Sequence, residues 1–161
     1  MLFVKLLGAG LLVLVGGYGA ILLNRRAERE VDRMDAWISL LRLVKNQIDC
    51  YALPLSEILL RASPPLLSRI GWDADGAPSG FDAIGAVIGD TGMSEEGERV
   101  ARFFCEEIGK GYRAEQLHTC DYAIGLFCAE RDRLLSQLGG ARKRNTTLCL
   151  CGAVALAIVL L

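Results

Sequence analysis

An all-α fold is predicted: an antiparallel bundle of about six helices carried between two terminal membrane-spanning helices. Three observations point to it. Leu6 to Leu23 (LLGAGLLVLVGGYGAILL) and Asn145 to Leu161 (NTTLCLCGAVALAIVLL) carry no charge, and runs of that length suit a bilayer crossing. Apolar residues between them recur at helical spacing, and no alternating strand pattern occurs. Arginine and lysine stand on the inner flank of both runs, Arg25, Arg26 and Arg29 after the first and Arg142, Lys143 and Arg144 before the second.

The expected organisation is a transmembrane helix over 2–23, a helical domain over 24–144 and a second transmembrane helix over 145–161. A cleaved leader is a poorer reading of the first run, which exceeds the usual apolar length and is preceded by Lys5 alone. Because positive residues are retained on the cytoplasmic side, both basic flanks place the central domain in the cytoplasm and both termini outside.

The first cytoplasmic helix is expected over about 28 to 52, on Met34, Trp37, Leu41, Val44 and Ile48, and in near continuity with the first span. Pro54 suits a helical first turn, so a new helix is expected over Pro54–Arg61. Ser63 as cap and Pro64 at the first position open another to Ile70, closed by Gly71. GWDADGAPSG, residues 71–80, is a loop. A short helix follows on Phe81, Ile84, Val87 and Ile88. Ser94 caps the next, with Glu95 and Glu96 in its first turn and Val100, Phe103, Phe104 and Ile108 turned inward; Gly109 and Gly111 end it. The last cytoplasmic helix is expected over Arg113–Leu138 on Leu117, Cys120, Ile124, Phe127, Leu134 and Leu138. Arg131 falls on its apolar face and needs a partner or water, and Gly139-Gly140 is expected to form a flexible joint. The core is predicted to include Trp37, Leu41, Val44, Phe103, Phe104, Ile124 and Phe127.

Composition limits the functions available. The chain has 161 residues, is 52% hydrophobic and carries a net charge of −1; its mean hydropathy is +0.34. Residues 24–144 hold seventeen basic against nineteen acidic side chains, a net of −2, so no basic surface recommends nucleic acid as partner. Asp73 to Glu107 is strongly acidic, with nine carboxylates against Arg99 and Arg102. Six cysteines include no Cys-x-x-Cys pair, and Cys50, Cys105, Cys120 and Cys128 read as small buried thiols. Glu115 and His118 have the spacing of two metal ligands on one helix face, but a dinuclear site needs a second histidine and the chain has one. No phosphate-binding loop, nucleophile elbow or dinucleotide glycine pattern occurs. Neither a catalytic residue, a cofactor nor a metal is expected. The enzyme alternative would rest on carboxylates such as Glu106, Glu107 and Asp121.

In order and spacing the residues resemble the stage III sporulation protein AB family of endospore-forming bacteria. The likeness is carried by Met1, Leu2, Lys5, Leu6, Leu7 and Gly8; by Arg25 and Arg26; by Ile48, Tyr51, Pro54 and Leu55; by Phe104, Gly109, Arg113 and Gln116; and by the apolar C-terminus. The cysteine content and the 71–80 loop depart from it. The resemblance implies a non-enzymatic platform in the channel complex joining mother cell and forespore, seated in the mother-cell membrane facing the forespore. Its helical domain would be similar to the inner-membrane platform of type II secretion, engaging a secretion-type ATPase. The partners implied are that membrane, the ATPase, the other small membrane subunits of the complex and further copies of this chain. The alternative within the same class is a small inner-membrane assembly subunit of a type II secretion or pilus system. Polar residues that no core argument explains are the expected partner-binding set: Glu95, Glu96, Glu98 and Glu106, with Arg113 and Gln116 opening the last cytoplasmic helix.

Overall fold

The computed structural model describes the backbone of residues 2–51, 53–72, 76–90 and 92–160. Side chains are described for most positions from 28 to 138 and for a few beyond. The order is α1 (Leu2–Tyr51), α2 (Leu55–Arg61), α3 (Pro64–Arg69), α4 (Phe81–Val87) running into a 3₁₀ turn (Ile88–Asp90), α5 (Glu95–Glu107) and α6 (Arg113–Leu160). The described residues contain no strand, so the fold is all-α. The chain divides into two compact units, Met1–Arg29 with Leu134–Leu161, and Glu30–Arg133. Among the described residues no helix is long and apolar enough to cross a membrane. The expected spans at 2–23 and 145–161, and the flank Arg142, Lys143 and Arg144, fall largely outside the described side chains.

In the unit Glu30–Arg133 the core follows from α1. Met34, Trp37, Ile38, Leu41, Val44 and Ile48 recur every three or four residues and are all buried, which is the stripe a 3.6-residue period lays on one helix face. α6 supplies the facing stripe through Cys120, Ala123 and Phe127, each fully buried. The Trp37 and Phe127 rings stack at 5.6 Å between centroids and 13° between planes. Polar pairs fix the direction: Arg131 with Asp35, Lys45 with Asp121 and Arg113 with Asp49. Positions ascending on α1 meet positions descending on α6, so the two helices are antiparallel. Arg131, expected to need a partner, bonds Asp35 at 3.3 Å and Asp132 at 2.8 Å.

The short helices close the unit from the sides. α2 buries Ile58 and Leu59, and α3 buries Leu67. Arg69 donates to the Asp32 carbonyl at 3.1 Å, tying the end of α3 to α1. α4 meets α5 through an edge-to-face contact of Phe81 on Phe104 at 5.3 Å, a geometry favoured by ring quadrupoles. The turns after α3 and α5 carry glycine in the left-handed region, Gly71 at φ 101° and Gly109 at φ 89°, where a side chain would clash with the backbone.

Several expectations are corrected. Pro54 is not in the first helical turn but is the extended cap residue before it. Ser63 occupies the cap position of α3 without a side-chain hydrogen bond. Phe103 is 37% exposed. Consecutive helical residues lie about 100° apart, and the buried stripe of α5 runs through Val100, Ala101, Phe104, Cys105 and Ile108, which leaves Phe103 to lie edge-on against Tyr122 at 5.7 Å. Ile124 is only half-buried, because Cys120, Ala123 and Phe127 set the phase of α6. Gly139-Gly140 makes no joint, and α6 continues through both. Two glycines cost a helix roughly 1 kcal/mol each relative to alanine, which a helix of 48 residues absorbs. Cys50 is exposed and donates to Asn46 Oδ1 at 3.3 Å, and Cys128 is half-buried. Burial pushes the Cys105 thiol up to about 12 and the Cys120 thiol up to about 11, so these two are inert hydrophobic packing.

Phe104 joins α4 and α5 to this core with no exposed surface. Truncating a buried phenylalanine costs about 3 to 5 kcal/mol. Phe104→Ala in segment 24–144 should lower the melting temperature by more than about 10 °C by circular dichroism. Phe103→Ala should lower it far less.

Candidate functional site

α5 presents its N-terminus to an open groove of about 680 Å³ lined by Ser94, Glu95, Glu96 and Arg99 on one side and Leu126, Ala129, Glu130 and Arg133 on the other. Ser94 makes the helix start. Its hydroxyl accepts the Gly97 amide at 3.1 Å and donates to Glu130 Oε1 at 2.7 Å. One of the amides left unpaired at a helix N-terminus is thereby satisfied, and the cap is itself bonded to α6.

Glu130 is the one charged side chain in the core among the described residues, at 4% exposure. It stands on the same α6 face as Ala123 and Phe127, where the pattern calls for an apolar residue. Arg133 covers it with a two-point contact, Nε to Oε2 at 2.7 Å and Nη2 to Oε1 at 2.7 Å. These Arg133 bonds, aided by the Ser94 hydroxyl, hold the Glu130 carboxyl below its ordinary range against the opposing effect of burial. Arg133 is raised in turn, chiefly by its bonds to Glu130. A buried carboxylate is tolerated only when so paired. Sequence reasoning passed over Glu130; the available signal was a glutamate on an apolar face three residues after Phe127.

The same region explains Gly97. A Cβ at this position would lie 2.2 Å from Met34 Cε and 3.2 Å from Met34 Sδ. Glycine therefore lets α5 approach α1 closely while Ser94 holds it to α6.

The expected partner-binding residues do not form one surface. Glu95 and Glu96 line the groove, and Glu96 pairs with Arg99 one turn on. That pair raises the Arg99 guanidinium, the Glu96 hydrogen bond being the main cause. Glu98 is half-buried on another side of the same turn. Glu106 is exposed and lines a separate cleft of about 220 Å³ with Asp82 and Arg102, about 16 Å along the helix at 1.5 Å per residue. Arg113 Nη2 bonds Asp49 Oδ1 at 2.7 Å and also the Asp49 carbonyl, so it ties the start of α6 to the end of α1. Gln116 donates to the Gly111 carbonyl at 3.3 Å. Arg25, Arg26 and Arg29 are exposed on α1.

The other carboxylates considered for chemistry are spread over surface pairs: Glu107 bonds Lys110 at 3.0 Å and Asp121 pairs with Lys45. Glu115 accepts the Tyr112 amide at 2.9 Å, half of a capping box at the start of α6. Among the described residues no three metal-ligating side chains converge. Compared with protein-family models, curated proteins and solved structures, the chain finds no match.

The depressed Glu130 carboxyl fixes the sign of a pH effect. Its contribution to stability is present above the unfolded glutamate value of about 4.3 and is lost as pH falls through the lower folded value. Arg133 is half exposed, so solvent screening makes the effect smaller than a fully buried pair would give. Glu130→Gln should lower the urea midpoint at neutral pH, and the gap from the parent should close as pH falls below about 4. An equal gap at every pH would assign the loss to packing instead of charge.

Proposed function

We propose that this chain is a non-enzymatic membrane platform of the mother cell to forespore channel complex in endospore formation, engaging a secretion-type ATPase through its helical unit. The observation that carries the reading is the ordered series of residues between two uncharged ends, from Lys5, Arg25 and Arg26 through Tyr51, Pro54, Phe104, Gly109, Arg113 and Gln116. In this reading residues 2–23 and 145–161 span the mother-cell membrane, the domain between them is cytoplasmic, and the termini lie between the two cells.

The geometry supports an adaptor over a catalyst. Arg113 and Gln116 serve the α1–α6 junction through Asp49 and Gly111, a scaffolding task. Glu107 and Asp121 are held in surface pairs with lysines. Glu95 and Glu96 stand at the mouth of the groove on α5, whose first turn carries three carboxylates. Such a turn attracts a basic partner face, which raises association rate and fixes orientation.

Glu95→Lys, Glu96→Lys and Glu98→Lys combined should leave the helical unit folded, since the Ser94 cap is untouched and each reversal near the helix dipole costs about 0.5 to 1 kcal/mol. Binding to the purified ATPase of the complex at low salt, where surface charge is least screened, should fall at least about tenfold. A folded triple variant that binds like the parent removes the α5 acids from the interface.

A further inference from the structure

Among the described side chains of 18–29, α1 bears an exposed stripe whose chemistry changes within one turn. Tyr18, Ile21 and Leu22 are 64%, 50% and 49% exposed, and Arg25, Arg26 and Arg29 after them are exposed as well. These six positions follow the spacing i, i+3, i+4, i+7, i+8 and i+11, which is one face of a helix. Glu28 and Glu30 fall at the edges of that face, and Glu30 acts on Arg133 of the helical unit.

We propose that this stripe is a seat for anionic lipid headgroups at the membrane surface. The inference rests on the membrane reading above and adds to it the class of lipid. A helix face that is aromatic and aliphatic below and basic above is layered along its axis, as a bilayer boundary is. The step from Leu22 to Arg25 is about 5 Å, comparable to the depth of the headgroup layer on either side of a hydrocarbon core about 30 Å thick. Tyr18 has the amphipathic ring found in that boundary zone. The three guanidinium groups supply fixed positive charge that attracts headgroup phosphates. An acidic protein surface would answer the three arginines but would leave Ile21 and Leu22 uncovered. A bilayer accommodates both.

The test uses the full chain, purified in detergent and mixed with vesicles either of phosphatidylcholine alone or of phosphatidylcholine with one-third phosphatidylglycerol, and scored by flotation. At low salt the chain should associate about tenfold or more tightly with the anionic vesicles, since each basic residue near such a surface adds several-fold. High salt should reduce the preference. Arg25→Gln, Arg26→Gln and Arg29→Gln combined should abolish it with helix content unchanged. The corresponding lysine triple should keep most of it, which separates charge from misfolding. Equal flotation on both vesicle types, or a preference that survives in the glutamine triple, overturns the proposal while leaving the membrane reading standing. Flotation with neither vesicle type overturns both.

Discussion

The helical unit depends on one contact more than any other, the stack of Trp37 on Phe127 between α1 and α6. Both rings are fully buried, and aromatic side chains of this size bury some 150 to 250 Å² each. That burial is obtained although the indole Nε1 of Trp37 makes no hydrogen bond among the described residues, a desolvation cost of about 1 to 3 kcal/mol. The residue is thus held for its area and shape. Once the two long helices are antiparallel, Asp35, Lys45 and Asp49 lie opposite Arg131, Asp121 and Arg113. Such exposed pairs contribute little energy, but their order along the two helices fixes the antiparallel direction that a single stack leaves open.

α5 is placed by what α1 and α6 leave for it. Gly97 admits the Met34 methyl, and Ser94 reaches Glu130. The N-terminus of α5 is therefore held on two sides, and the carboxylates of its first turn are presented from a fixed position and not from a loose end. This is the physical link between the core and the groove where a basic partner is proposed to dock. At its other end α5 turns on Gly109, and Gln116 and Glu115 organise the start of α6. The partner-binding set inferred from polar residues without a core role is in this way divided: Glu95 and Glu96 remain at a groove, whereas Arg113 and Gln116 belong to the junction of helices.

Periodicity made the core of α1 legible, because Met34, Trp37, Leu41, Val44 and Ile48 admit one phase only. Ser94 was legible as a cap since it precedes acidic residues and an apolar stripe, and Gly71 and Gly109 as stops. The phase of α5 was harder. Phe103 and Phe104 are equally apolar, and it is Phe104 that meets Phe81 of α4 edge-on, next to Cys105, which stands against Gly85. Gly139-Gly140 misled because local propensity is a weak force against a long helix already propagating. Glu130 was invisible to a search for chemistry by motif, since its partners lie 36 positions before it and three after. A carboxylate at an apolar position is read correctly only once the residues that neutralise it are in place.

The helical unit rests on direct contact of Trp37 and Phe127 across α1 and α6. A double-mutant cycle with Trp37→Leu, Phe127→Leu and the pair, followed by urea unfolding of segment 24–144, measures that contact. A stacked pair should give a coupling energy of about 0.5 to 1.5 kcal/mol beyond the sum of the single effects. Additivity within about 0.3 kcal/mol, the behaviour of residues that do not touch, would contradict the α1–α6 contact on which the helical unit depends.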